Sequence, residues 1–137
     1  MRFHGFTLSD VEITVGETGY DLHNNFNFSG LAYDVANQTL ILRWQRCIGD
    51  WVPVNTPHNL EIQMRGVSHL SAKSRDLKKP FTEDDCLGTV LVVAADKTSE
   101  ESYGAIERVD EDMHVIFEFM SGFAVRVQAE EATCVVA

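Results

Sequence analysis

Apolar and polar residues alternate with a period of two along most of this chain. Val11, Ile13 and Val15 are separated by Glu12 and Thr14, and Phe26 and Phe28 by Asn27. Leu40, Leu42 and Trp44 alternate with Ile41, Arg43 and Gln45; Leu60, Ile62 and Met64 alternate with Glu61, Gln63 and Arg65. Val115, Phe117 and Phe119 alternate with His114, Ile116 and Glu118, and Phe123, Val125 and Val127 with Arg126 and Gln128. Successive side chains of a strand point to opposite faces, so each run predicts a strand with one buried and one wet face. Val90–Ala95 is apolar at every position, which predicts a central strand covered on both sides. On the wet faces, Arg43, Glu61, Arg65, Glu118 and Arg126 offer cross-strand ion pairs, each worth less than about 1 kcal/mol.

The breaks between these runs read as turns: Gly16–Gly19, Asp34–Gln38, Cys47–Asp50, Asp96–Ser102 and Ser121-Gly122. The last is short enough for a tight hairpin between two strong strands. Pro53 and Pro57 keep their segment out of a sheet centre. No long apolar stripe recurs at helical spacing. A short helix is expected near Pro80–Asp85, with Thr82 as N-cap and acids in the first turn. The pattern therefore predicts a mainly β chain. Its expected form is an antiparallel β-sandwich or open barrel of about eight or nine short strands, with at most one or two short helices. The 137 residues are of a length for one β-rich domain, spanning 1–137.

Charge changes the picture, because it is distributed unevenly. Met1–Phe81 holds eight acids and eight bases, whereas Thr82–Ala137 holds thirteen acids against Lys97, Arg108 and Arg126. The second stretch thus carries the whole net charge of −10. Such an imbalance predicts an acidic face that repels nucleic acid and attracts a basic protein surface. The one basic cluster, Lys73–Lys79, contains Asp76 and has no aromatic partner inside it, so it reads as a solvated loop. Three widely spaced cysteines, Cys47, Cys86 and Cys134, do not make an even disulfide framework, and no C-x-x-C pair exists for zinc or redox chemistry. No signal-peptide pattern opens the sequence, and the longest apolar run is far shorter than the roughly 20 residues that span a bilayer. These features predict a cytoplasmic protein with reduced thiols and no membrane association.

Candidate chemistry is sparse. Asp110, Asp112 and His114 stand at i, i+2 and i+4; on one strand face, two carboxylates and an imidazole are a cation-binding set. The competing reading is a polar turn over Val109–Met113, and it is preferred, so no metal site is assigned. Acids flank Cys86 in Glu83-Asp84-Asp85-Cys86, and neighbouring carboxylates raise a thiol pKa, which disfavours it as a nucleophile. No histidine stands in a metal motif, and no hydrolase, phosphate-loop or cofactor signature is present. Trp44 lies on the apolar face of its strand and is read as core. Trp51 is either a lid on one end of the sandwich or an exposed anchor for a partner. The acidic turn Asp110, Glu111, Asp112 and the Trp51 ring are the nominated partner-binding residues.

Two segments carry a resemblance. Asn59-Leu-Glu-Ile-Gln-Met-Arg-Gly-Val-Ser-His-Leu70 is a strand followed by a Gly-Val step, and Phe119-Met-Ser-Gly-Phe-Ala-Val-Arg-Val-Gln-Ala-Glu130 is a hairpin running into acids. Both resemble small β-rich bacterial immunity proteins of polymorphic toxin systems and their uncharacterised relatives. The resemblance implies a protein that works by binding, and an acidic balance suits inhibition of a basic toxin such as a nuclease. It supplies no active-site residues. The expected function is accordingly a non-enzymatic binding protein with a basic protein partner and no cofactor. Other readings stay open: a small-ligand carrier with a pocket lined by Phe26, Phe28, Trp44 and Phe117, a hydrolase or isomerase using scattered acids and histidines, or charge that serves solubility alone.

Overall fold

The structure, a computed structural model, describes residues 1–97 and 105–137. Among the described residues, twelve strands form three sheets. A five-stranded sheet is ordered β1 (Arg2–His4), β12 (Glu131–Val136), β7 (Asn59–Arg65), β6 (Thr39–Arg46), β5 (Phe26–Asp34). A four-stranded sheet is ordered β8 (His69–Lys73), β11 (Ala124–Gln128), β10 (Met113–Phe119), β9 (Leu87–Ala94). A small third sheet is the meander β2 (Phe6–Ser9), β3 (Glu12–Val15), β4 (Thr18–Asp21). All pairings are antiparallel except β1 with β12. The mainly β architecture is as the alternation predicts, and among the described residues no sheet closes into a barrel.

The strand count exceeds the eight or nine expected. β1, β2, β4 and β8 are only three to five residues long, too short to show a period of their own. The longer strands bury the faces that the pattern assigns. Leu40, Leu42 and Trp44 on β6 and Leu60, Ile62 and Met64 on β7 are buried, and they share one core with Val115, Phe117, Phe119, Val125 and Val127 of the four-stranded sheet. Phe6, Leu8 and Ile13 of the meander complete it. Trp44 is wholly buried and its indole N–H finds no acceptor, so it serves there by bulk. On the wet side, Arg43 and Glu61 face each other across β6 and β7 and pair at 2.9 Å, one of the expected cross-strand ion pairs.

Two local expectations need correction. The apolar strand β9 is an edge strand, not a central one. Both its faces are nevertheless covered: Val90 joins the main core, while Val93 packs with Ile116 and Ala124 on the outer side. The outer side is capped because Arg126 donates to the carbonyls of Ala94, Ala95 and Lys97 and holds that segment over the sheet. The helix near Pro80 is a single 3₁₀ turn, Phe81–Asp85; Pro80 stands in the capping position, and no side chain, Thr82 included, caps it. The β10–β11 hairpin is as tight as predicted. Gly122 adopts φ +87° and donates to the Phe119 carbonyl at 2.9 Å, a conformation that glycine reaches without a Cβ clash. The expected turn at Asp96–Ser102 lies largely outside the described residues.

Cys47, Cys86 and Cys134 are all free. Cys134, on β12, is half-buried against the core, and burial pushes its thiol up to about 12 from an ordinary 9.0. A raised thiol pKa leaves stability untouched while both states are neutral. Above about pH 9 the unfolded chain ionises and the folded one does not, so stability falls progressively toward pH 12. Urea unfolding across that interval is expected to show a shallower alkaline loss for Cys134→Ala than for the parent chain. Equal slopes would mean that the thiol is solvated in the fold.

Candidate partner-binding site

The connection between β6 and β7, residues 47–58, is long for an antiparallel pair, and long ordered loops are commonly functional. It is pinned at several points. Val52 is buried and its N–H donates to the Gly49 carbonyl. Thr56 N–H donates to the Pro53 carbonyl at 3.0 Å, and Arg46 Nη1 donates to the Thr56 carbonyl at 3.2 Å. The Trp51 indole N–H donates to the Asn24 carbonyl at 2.9 Å, and its ring lies over Gly49 where a Cβ would collide with it at 2.0 Å. Held in this way, the loop presents apolar groups to solvent: Trp51 is 64% exposed, Val54 93% and Ile48 100%. Trp51 is therefore not a lid over the sandwich.

The support beneath Trp51 is a carboxylate. Asp21 Oδ1 accepts the backbone N–H groups of His23 and Asn24, both at 2.9 Å, and Oδ2 accepts the Asn24 amide at 2.7 Å. Burial alone would raise the Asp21 carboxyl, but these hydrogen bonds outweigh it and hold the pKa below its ordinary value. The same stretch carries His23, whose Nδ1 lies 2.7 Å from the Leu87 carbonyl and 3.4 Å from Cys86 Sγ. A carbonyl only accepts, so Nδ1 carries the hydrogen and offers the thiol no lone pair. Burial and then Asp85 push the Cys86 thiol up, and burial and then Asp85 do the same to Cys47. The thiol–imidazole contact thus lacks both a base and a ready thiolate, as the flanking acids suggest from sequence. Asp85 itself is raised by burial and by neighbouring Asp84, and no described cation sits beside it. Asp84 is different: Arg75 grips it through Nε at 3.0 Å and Nη2 at 2.6 Å, which holds its carboxyl below the usual range.

The acidic turn lies elsewhere. Glu130 N–H bonds the Arg65 and Gly66 carbonyls, and the cleft there is lined by Gly66, Glu130, Asp110 and Glu111. This is the Arg65 end of β7, whereas Trp51 is at the Asn59 end; seven residues at about 3.3 Å each separate them by roughly 20 Å. Asp110, Glu111 and Asp112 therefore share no surface with Trp51. Asp110 is paired with Arg108 at 2.6 Å, and the cleft beside it, of about 920 Å³, carries Arg2 and Arg108 as well as acids. Nor do Asp110, Asp112 and His114 share a strand face. The strand begins at Met113, so both acids belong to the turn. His114 lies on the outer face of β10, where its Nδ1 accepts Arg126 Nε at 2.7 Å and its ring stacks on His69 at 4.2 Å. Burial, then His69 and Arg126, hold the His114 pKa below its ordinary value, and a guanidinium stands where a cation would have to bind. Among the described residues no three His, Cys, Asp or Glu side chains are grouped to hold a metal ion.

The carrier pocket proposed from sequence is filled by its own walls. Phe28 and Trp44 have ring centroids 5.1 Å apart, Trp44 and Phe117 6.1 Å, and Phe26, Trp44 and Phe117 are buried. Among the described residues no helix is long and apolar enough to cross a membrane. The chain matches no protein-family model, and neither a curated protein nor a solved structure matches it.

Proposed function

We propose that this chain is a non-enzymatic binding protein of the immunity type, which holds a basic protein partner at the end of the sandwich built around Trp51. The observation that carries the reading is the pinned 47–58 loop, which fixes an exposed indole between two exposed aliphatic side chains. Ordering such a group before contact lowers the entropy lost on binding. Asp50 in the loop and Asp85 beside Cys47 supply charge of the sign that a basic surface needs. The net charge of −10 adds a long-range attraction for such a partner.

The test uses the basic protein recovered from source cells on the immobilised chain. Its association rate is expected to fall steeply as salt rises, because salt screens the steering field. Asp50→Asn with Asp85→Asn should slow association, while neutralising Asp110, Glu111 and Asp112 together should change it far less. If the triple variant slows association as much as the double, recognition sits at the opposite end of the sheet. If only acidic or neutral proteins are retained, the basic-partner reading fails.

A further inference from the structure

β5 runs from the Trp51 end of the five-stranded sheet, at Phe26, to the opposite end, at Asp34, and among the described residues its outer edge is open. Among the described residues, β5 ends the five-stranded sheet with β6 as its single neighbour, so the backbone groups on its other side have no described strand partner. Proteins usually blunt such edges with charge, proline or a bulge. β5 has a register shift between Phe28 and Gly30, but beyond it Leu31–Asp34 are all exposed and carry one charge, Asp34. Leu31 and Tyr33 stand opposite the buried Leu42 and Leu40 on β6, so both lie on the core side of the sheet, yet each is 39% exposed.

The 3₁₀ turn Phe81–Asp85 lies beside the Phe28–Leu31 part of β5 and leaves a cleft between them of about 480 Å³. Phe28, Leu31, Phe81 and Phe123 make its apolar wall, and Asp84 and Asp85 its rim. Arg75 already neutralises Asp84, which leaves Asp85 as the uncompensated charge. An edge strand, an adjoining apolar cleft and one free carboxylate are the parts by which a sheet takes up an extended peptide: main-chain hydrogen bonds give affinity, and pockets for alternate side chains give selectivity.

We infer that β5 takes up an extended basic segment of the partner as an added strand, with one apolar side chain of that segment in the Phe28–Phe81 cleft and a lysine or arginine meeting Asp85. This deepens the binding reading above and rests on it. A second copy of the chain is a poorer occupant, because pairing two β5 edges would bring Asp34, Asp84 and Asp85 of both copies together in a protein of net charge −10.

The experiment is selection of a displayed random-peptide library on the full-length chain. Enriched peptides are expected to alternate apolar residues and to carry a lysine or arginine. Their affinity should drop at least tenfold for Phe81→Ser and for Asp85→Asn, two positions outside the core, and remain unchanged for Glu111→Gln in the turn at the other end of the sheet. Methylating alternate backbone nitrogens of a selected peptide should abolish binding, and hydrogen exchange should slow at residues 31–34 when the peptide is bound. The inference is overturned if no peptide enriches, if enriched peptides bind Phe81→Ser equally well, or if sedimentation shows a dimer that Phe81→Ser dissociates. If Trp51→Ala weakens the basic protein partner while Phe81→Ser does not, the added strand is wrong and the binding reading stands.

Discussion

Phe117→Ala is expected to destabilise the fold by about 3–5 kcal/mol, the usual cost of truncating a buried aromatic residue. Phe117 has no exposure, and it stands at the middle of β10 with Val125 and Val90 as its neighbours on β11 and β9. From there it reaches across the sandwich to Trp44 on β6. Truncation removes the contact between the two large sheets at the point where rigid strands can least collapse to refill it. Domains of ordinary stability hold about 5–15 kcal/mol in all, so the variant is expected to approach unfolding at room temperature. Urea unfolding followed by tryptophan fluorescence measures this directly, provided the slope is unchanged. Ile116→Ala, on the opposite face in a smaller apolar cluster, should cost clearly less. Equal losses at the two positions would mean that the main core does not lie where the alternation places it.

That comparison shows which parts of the molecule are legible in its sequence. Leu40–Trp44 and Leu60–Met64 are read correctly because one face of each strand is wet, so periodicity reports burial directly. It fails on β9 and around His114 and Ile116, where both faces are covered. The second cover comes from Arg126 clasping the carbonyls of residues 94, 95 and 97, and a single arginine 29 residues further along leaves no periodic trace. The acids mislead for a related reason. Glu83–Asp85 and Asp110–Asp112 are neighbours in composition, yet the fold sends them to opposite ends of the five-stranded sheet. Each group also gives up a charge to a nearby arginine, Asp84 to Arg75 and Asp110 to Arg108. Of the nominated partner-binding residues, Trp51 alone lies on the 47–58 loop to which the proposed function assigns binding. Its supports, Asp21 and Asn24, look in sequence like ordinary turn residues. The one local hint was an Asp followed at i+3 by an Asn, the pattern of a side chain that bonds its own turn.

The second large effect is on binding. Trp51→Ala is expected to weaken the complex with the basic partner by about 2 kcal/mol or more, roughly a thirtyfold rise in Kd, as an anchoring tryptophan near the centre of an interface does. Its consequence for the isolated protein should be small, because 64% of the residue is already in water and its fixed contacts are one hydrogen bond and the face of Gly49. The two effects therefore separate: binding is lost while the unfolding midpoint barely moves. Asp21→Ala should act through Trp51 rather than beside it. It removes the acceptor that orders His23 and Asn24, and with it the carbonyl that holds the indole, so the ring remains but is no longer fixed. The expected result is a smaller affinity loss, and when Asp21→Ala is combined with Trp51→Ala the losses should fall short of their sum, since Asp21 acts through the ring that Trp51→Ala removes. Calorimetric titration of the four proteins measures that coupling. Additive losses would mean that Asp21 touches the partner by itself, and no loss for Trp51→Ala would remove the anchor on which the proposed function stands.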